Sequence, residues 1–577
     1  MKRTPLFLIA AVALPWGLPQ AVADDYQFIG SETTSWENQS SDRWNQTTPP
    51  WDGTPLPGGP GAGDRLDLAS EGSLLLPAIV DPGVVTPLTR SLGRLTVSGA
   101  GGMASLNSRN NWNATLALSG NIEVLEGRSL QLNDGNNVSW LNIHVGGNVS
   151  VGAGAALHLG RISTTSAGTS ITDRLTEYVV SGSTIISGTL VNSGGNNTNN
   201  SSVLANSTLG DLVVNTGGSV IGAAGGSGST TTGTRTYHLN ARSLSGAGAV
   251  HGSSMIQNGT REVNLNLDTV AATDTTFSGV LSDSSVTVAD TGINRLHLTL
   301  SGPGRQTLSG ANTYTGQTRV KNGGTLLVDG IHTQATNGVG GGSATDGLYH
   351  VEATATLGGS GTIAGRSTAN NTNLVYVAAG GTLAPGSGGL VLDGGNLTGS
   401  NAHHLRLDAG AAVSFTLAGN GSSAGHLELW NYAGAGDVVF NNNVVHLSLA
   451  GPVVEGTYTV TLARFFSDGG TALAQSGLTG GLTLSGAVFD PGITDAQLFF
   501  NNTDITLQYT VVPEPGACAL GLFGLGLWAF MRRARSGKSR VRVNRRFVPA
   551  RNLCATGNEV KSASGVLPHK TPCSAFS

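Results

Sequence analysis

The 577-residue chain has only 11% charged residues, against roughly 25% in an average soluble domain, and carries 86 glycines. Its mean hydropathy is +0.03 and 39% of its residues are hydrophobic, which excludes the high-charge, low-hydrophobicity composition of a disordered protein. From Asp24 to Val511 the chain has an acidic excess, with Lys321 its single lysine, so a nucleic-acid partner is excluded.

Residues 1–23 read as a secretory signal peptide. Lys2 and Arg3 give a positive start, Leu6 to Leu14 is apolar, and Ala21-Val22-Ala23 has the small-x-small form of a cleavage site. The apolar run is too short to span a bilayer, so a mature start at Asp24 is expected. Residues 24–91 form an N-terminal region with Trp36, Trp44 and Trp51 in a polar setting and a Pro/Gly-rich stretch. The tryptophans are expected to plug the open end of the body; stacking on sugar is the other reading.

Residues 92–511 repeat one pattern. Short alternating runs recur between Gly, Asn and Ser turns: Asn121–Leu125, Leu141–Val145, Tyr178–Gly182, Glu262–Leu267, Arg295–Leu300 and Asp504–Leu507. Each shows period two, with one apolar side. No long 3.6-residue apolar stripe interrupts them. The pattern continues without a domain break, and aromatics, at 5%, are too few for several sandwich cores. The expected fold is all-β, a right-handed parallel β-helix or solenoid with about 20–25 residues per coil, flanked by a signal helix and one C-terminal transmembrane helix.

One segment carries a family likeness. Thr276–Leu281, Leu298–Gly302, Leu308–Thr318 and Gly323–Val328 follow each other, then Leu357–Ile363 and Gly381–Gly386. Across 276–388 this resembles the autotransporter-associated β-strand repeat, which implies a parallel β-helix passenger. Leu308, Tyr314, Val320 and Leu326 are placed to supply buried contacts, and Asn312 suits a turn or an inward ladder.

No catalytic constellation stands out: there is no His-Glu-x-x-His or P-loop. His403 and His404 must point to opposite sides of a strand and cannot easily share a metal. Glu123 with Glu126, and Asp290 near Arg295, are the carboxylates that a polysaccharide lyase or glycosidase would need, but nothing fixes their separation. Gly341 to Asp346 faintly echoes a calcium-binding nonapeptide and lacks its central glycine. Asn113, Asn137, Asn148 and Asn206 head Asn-x-Ser/Thr sequons on a glycosylatable surface. The three cysteines, Cys518, Cys554 and Cys573, all lie beyond residue 511, so the body has neither a disulfide framework nor a cysteine zinc site. No cofactor and no metal is expected.

The C-terminal region has three parts in order. Val512-Pro513-Glu514-Pro515 is followed by an apolar stretch, 516–531, and then by Arg532, Arg533 and Arg535. Sixteen helical residues reach roughly 24 Å, near enough to a ~30 Å hydrocarbon core once arginines snorkel. The arginines hold this end on the cytoplasmic side, and the prolines keep the preceding chain extended. Residues 512–535 resemble the PEP-CTERM sorting signal. The resemblance implies recognition and cleavage by an exosortase-type enzyme, followed by passage to the outer surface or an extracellular polysaccharide matrix. Residues 536–577 form a basic tail that reads as disordered. The sequence therefore predicts an exported surface or matrix protein, structural or adhesive, that passes through the inner membrane and contacts exopolysaccharide or neighbouring surface proteins. It is not expected to be an enzyme; a secreted β-helix polysaccharide lyase or glycoside hydrolase is the alternative.

Overall fold

The computed structural model describes residues 25–28, 34–35, 44–48, 64–69, 73–76, 88–99, 102–108, 113–132, 140–160, 174–193, 206–224, 234–254, 260–285, 293–334, 347–365, 373–394, 403–430, 438–466, most of 478–512, and 528, 531 and 532. The chain divides into two compact units, Met1–Pro513 and Glu514–Ser577.

The first unit is a parallel β-solenoid. Each coil contributes one strand to each of three faces. Arg94–Val97 lies on the first face, Met103–Ser108 on the second and Asn113–Leu118 on the third, and Ile122–Val124 then returns to the first. The first face is a 17-stranded sheet and the third a 14-stranded sheet. The second face is divided into nine- and eight-stranded sheets. At the division Asn312 turns inward: its Oδ1 accepts from the Leu281 amide at 2.9 Å, and the Thr313 amide donates to the Leu281 carbonyl at 2.8 Å. A side-chain amide here continues a ladder whose backbone groups no longer align.

Period-two alternation produces the core. Val97, Val124, Val151, Ile186, Val214, Gly246, Phe277 and Leu308 stack in one column on the first face, each paired with the next. Every side chain of that column is buried, and each large aliphatic one is worth about 1.5–3 kcal/mol against exposure. Gly246 interrupts the column for a backbone reason. It sits at φ 101°, and a Cβ there would lie 2.1 Å from the Val214 carbonyl oxygen. Leu308, Tyr314, Val320 and Leu326 are all fully buried, as the repeat pattern implied.

Coil length varies more than the expected 20–25 residues. Equivalent positions lie 27 residues apart at Asn121 and Asn148, 35 apart at Asn148 and Ser183, 31 at Leu281 and Asn312, and 20 at His297 and Gln317. The variation falls mainly between the second and third faces: the strand ending at Leu159 is followed only at Arg174. The other corners are tight. At one of them Asn121 Oδ1 accepts from the Asn148 amide and Asn148 Oδ1 from the Ser183 amide, a ladder that climbs coil by coil and occupies the Asn148 sequon side chain.

The scarce charges are used in the same vertical sense. Arg94 pairs with Glu123, Arg242 with Asp211 at 2.7 Å, Arg305 with Asp274 at 3.4 Å and Arg319 with Glu352 at 3.3 Å, each joining successive coils. These are half-exposed pairs and contribute little singly. At the N-terminal end Asp25–Phe28 stacks parallel on Arg65–Leu68 and pairs antiparallel with Trp44–Thr48. Parallel stacking thus begins ahead of residue 92. At the other end Gly456–Phe465, Asp504–Val511 and Ile493–Phe500 form an antiparallel meander. Antiparallel strands at both ends cover edges that would otherwise template further pairing. Trp36 and Trp51 lie outside the described residues.

Candidate functional site

The sorting segment begins where the last solenoid strand stops. Asp504–Val511 runs in the terminal meander with Ile505, Leu507, Tyr509 and Val511 buried. Val512 is 41% exposed, and its amide still donates to the Gly492 carbonyl at 2.9 Å. The chain therefore leaves the solenoid at the first residue of the Val512-Pro513-Glu514-Pro515 sequence. In the second unit Trp528, Met531 and Arg532 are helical, with the Arg532 guanidinium 4.7 Å from the centre of the Trp528 indole, an i,i+4 cation–π contact. Pro513, Glu514, Pro515, Arg533 and Arg535 lie outside the described residues, as do Ala21 and Ala23, the signal segment and most of the 516–531 span. Among the described residues no helix is long and apolar enough to cross a membrane.

The carboxylates singled out from the sequence do not converge. Glu123 is held by Arg94, while Glu126 is exposed in the turn that follows. Arg295 pairs with Glu262 at 3.1 Å, and Asp290 lies outside the described residues, with the Gly341–Asp346 stretch. Burial pushes the Glu262 carboxyl upward, but bonds and charge from His297 and Arg295 outweigh it and hold the carboxyl below its ordinary range. The His297 Nδ1 accepts from the Gln317 amide at 3.0 Å, so its Nε2 carries the proton donated to Glu262. Asp283 is raised by burial, although its oxygens accept from the amides of Leu296 and Thr315 at 2.8 and 3.0 Å. The bond from Leu296 lies within its own coil, and those from Thr315 tie it to the next. His404 is buried and His403 half-buried, both just ahead of the Leu405–Leu407 strand rather than within it. Among the described residues no group of His, Cys, Asp and Glu is arranged to hold a metal ion.

A second polar cluster is sealed inside the solenoid, within and just after the repeat segment. His332 stacks on Tyr314 with centroids 4.0 Å apart. Its Nε2 lies 2.8 Å from the Tyr314 carbonyl oxygen and must donate to it, so Nδ1 accepts from the Tyr349 hydroxyl at 2.6 Å. Burial lowers the His332 pKa to about 4 and raises that of Tyr314 to about 12. A fully enclosed neutral network of this kind is a structural element, closed to substrate.

The outer surface of the second face carries a different arrangement near the C-terminal end, one the sequence reading did not identify. Leu427–Trp430 pairs with the end of Gly456–Phe465 so that Glu428 sits opposite Arg464. Alternation then places His426, Glu428 and Trp430 outward, with Arg464 and Phe466 beside them. Trp430 and Phe466 have ring centroids 4.8 Å apart, and the indole Nε1 donates to Glu428 Oε2 at 3.1 Å. Glu428 also lies 3.5 Å from His426 Nε2. Adjoining them is a pocket of about 270 Å³, lined by Ser422, Ser423, His426, Thr459, Thr461 and Arg464 among others. A tight turn forms one wall: Asn420 Oδ1 accepts from the Ser422 amide at 3.1 Å and its hydroxyl at 2.7 Å, and Gly421 takes φ 69°.

Two family matches accompany this geometry. Residues 298–328 match the passenger-associated-transport-repeat and residues 511–536 match the PEP-CTERM protein-sorting motif. The chain carries a PEP-CTERM sorting motif. That motif and the repeat mark an exported protein directed to the cell surface, and the solenoid fits such a destination. The passenger-associated-transport-repeat match covers the strands from Leu298 to Val328, including the inward amide of Asn312 and, of the buried network, Tyr314; His332 and Tyr349 follow it. No curated protein matches the chain.

Proposed function

We propose that this protein is a non-enzymatic structural or adhesive component of the cell surface or extracellular matrix, delivered there by an exosortase-type enzyme. The observation that carries the reading is the position of the sorting motif. It starts at the residue where the solenoid's final strand ends, with Val512 exposed beside a closed meander. A cut within the motif separates a finished β-solenoid from its membrane segment without breaking a sheet.

In this reading the signal peptide is removed after Ala23, and 516–531 hold the chain in the inner membrane as an intermediate, with Arg532, Arg533 and Arg535 on the cytoplasmic side. Cleavage then releases the body to contact polysaccharide or neighbouring surface proteins. Weak contacts repeated along stacked coils add through multivalency. The non-enzymatic assignment is supported by the occupation of the body's carboxylates. Glu123, Glu262, Asp211 and Asp274 are each bound to an arginine, and Asp283 to backbone amides. The test is fractionation of cells producing the full chain or a chain lacking 512–535. The full chain is expected in the surface or matrix fraction and the deletion in the periplasm or medium; identical distributions contradict the sorting role.

A further inference from the structure

We propose that the outer patch formed by Trp430, Phe466, His426 and Arg464 is a binding site for an acidic polysaccharide, one bearing uronate-type carboxylates. This deepens the surface-protein reading and rests on it for access to such a polymer, but the site stands on its own geometry.

Three features define the ligand class. First, Trp430 and Phe466 sit side by side on the outside of a β-sheet, where solvent-facing positions are otherwise mostly Ser, Thr, Asn and paired charges. The bond from Nε1 to Glu428 fixes the indole plane, so the platform is set before a ligand arrives. The two rings are inclined at 34°, and the half-buried indole offers a surface against which the C–H side of a pyranose ring can stack. Second, the adjoining pocket is lined by Ser422, Ser423, His426, Thr459 and Thr461 beside Ala424 and Val460; the hydroxyls of Ser423, Thr459 and Thr461 can both donate to and accept from sugar hydroxyls, and that of Ser422, which donates to Asn420, can accept. Its small volume and mixed polar and apolar walls fit a single monosaccharide unit and do not fit a large ligand.

Third, Arg464 supplies the charge preference. Its side chain is exposed at the pocket and makes no ion pair among the described residues, unlike Arg94, Arg242, Arg295, Arg305 and Arg319. Carboxylates sit opposite it in register on both neighbouring strands: Glu428 is engaged by Trp430 and His426, and Asp504 accepts from the Asn501 side-chain amide at 2.7 Å. The guanidinium therefore keeps its planar set of donors available for a carboxylate on the ligand. Along the strands, Arg464 and Phe466 are two residues apart, as are Glu428 and Trp430, a step of about 6.6 Å. That step places a carboxylated sugar at Arg464 next to a second sugar on the aromatic pair.

The experiment uses the full chain in detergent, with polygalacturonate as the acidic probe and dextran as the neutral one, read by affinity electrophoresis. Polygalacturonate is expected to retard the protein and dextran is not. Arg464→Ala and Trp430→Ala are each expected to weaken the polygalacturonate effect at least tenfold, whereas Arg305→Ala, at a distant exposed arginine, leaves it unchanged. Arg464→Lys retains charge but loses the fork and is expected to fall between. Circular dichroism and melting of each variant exclude unfolding, and Arg464, being exposed, gives the decisive variant if Trp430→Ala does not fold. No retardation by polygalacturonate, equal retardation by both polymers, or retardation undiminished in Arg464→Ala overturns the proposal. Surface protease accessibility of the unmutated protein is scored separately, so a protein that reaches the surface without binding refutes the site and leaves the surface reading standing.

Discussion

Replacing Gln306 by Leu removes the one side chain that repairs a gap in the first face. Asp274–Phe277 pairs with Arg305–Leu308 at four positions but with Ser243–Gly246 only through Gly246 and Phe277. Leu244 consequently has no ladder partner on that side. The fully buried Gln306 amide reaches across the intervening coil to supply both bonds, donating to the Leu244 carbonyl at 3.0 Å and accepting from the Leu244 amide at 3.2 Å. It also accepts from the Thr275 hydroxyl at 3.0 Å. Leucine matches its volume approximately but leaves a buried N–H and a buried C=O unpaired, at ~1–3 kcal/mol each. Set against the transfer gain of an apolar side chain, about 1.5–3 kcal/mol, the net loss is about 1–3 kcal/mol. In a solenoid that loss is local, shared mainly with neighbouring coils. Hydrogen exchange followed by mass spectrometry is expected to show faster exchange in peptides spanning 243–246 and 274–277, with the Asn113–Val151 coils unchanged. Arg305→Leu, on the same strand but facing solvent, is the control and should shift exchange little. Unchanged protection at 243–246 in Gln306→Leu would refute the reasoning.

Two further outcomes follow from the same coils. His332 has an ordinary pKa of 6.5 and a buried pKa of about 4, so below pH 6.5 the unfolded state takes up a proton that the folded state refuses. Stability is therefore lost as pH falls from 6.5 to 4, by about 3 kcal/mol from this group at the lower end, and urea melts of the wild type should show that slope while His332→Gln flattens it. Gly246→Val places a Cβ against the Val214 carbonyl oxygen at a backbone angle β-branched residues avoid, and about 3 kcal/mol or more of destabilisation is expected, seen as a lower melting temperature or loss of soluble protein.

The stacked fold was legible because alternation survives in nearly every strand. Glu262–Leu267 reads as three inward and three outward residues, and Val263, Leu265 and Leu267 are the buried ones. The repeat pattern likewise marked Leu308, Tyr314, Val320 and Leu326 as core and Asn312 as turn or inward ladder; the structure selects the inward bond. What alternation cannot supply is register between coils. His426, Glu428 and Trp430 can be assigned to one side of their strand from the sequence alone. Their meeting with Arg464 and Phe466 depends on the register between two strands separated by more than thirty residues, which alternation within each strand does not set. Gln306 and His332 escaped notice for a related reason. Both occupy inward positions where a polar residue breaks the apolar pattern, and only the neighbouring coils show which backbone group or hydroxyl each one satisfies.

The account's central claim is export of the solenoid followed by removal of its membrane segment, and intact-mass analysis of protein released from the cell surface tests it most directly. The predicted species begins at Asp24 and ends within or next to Val512-Pro513-Glu514-Pro515, without 516–577. Recovery of the full 577-residue chain from the cytosol, with the surface fraction empty, would contradict it.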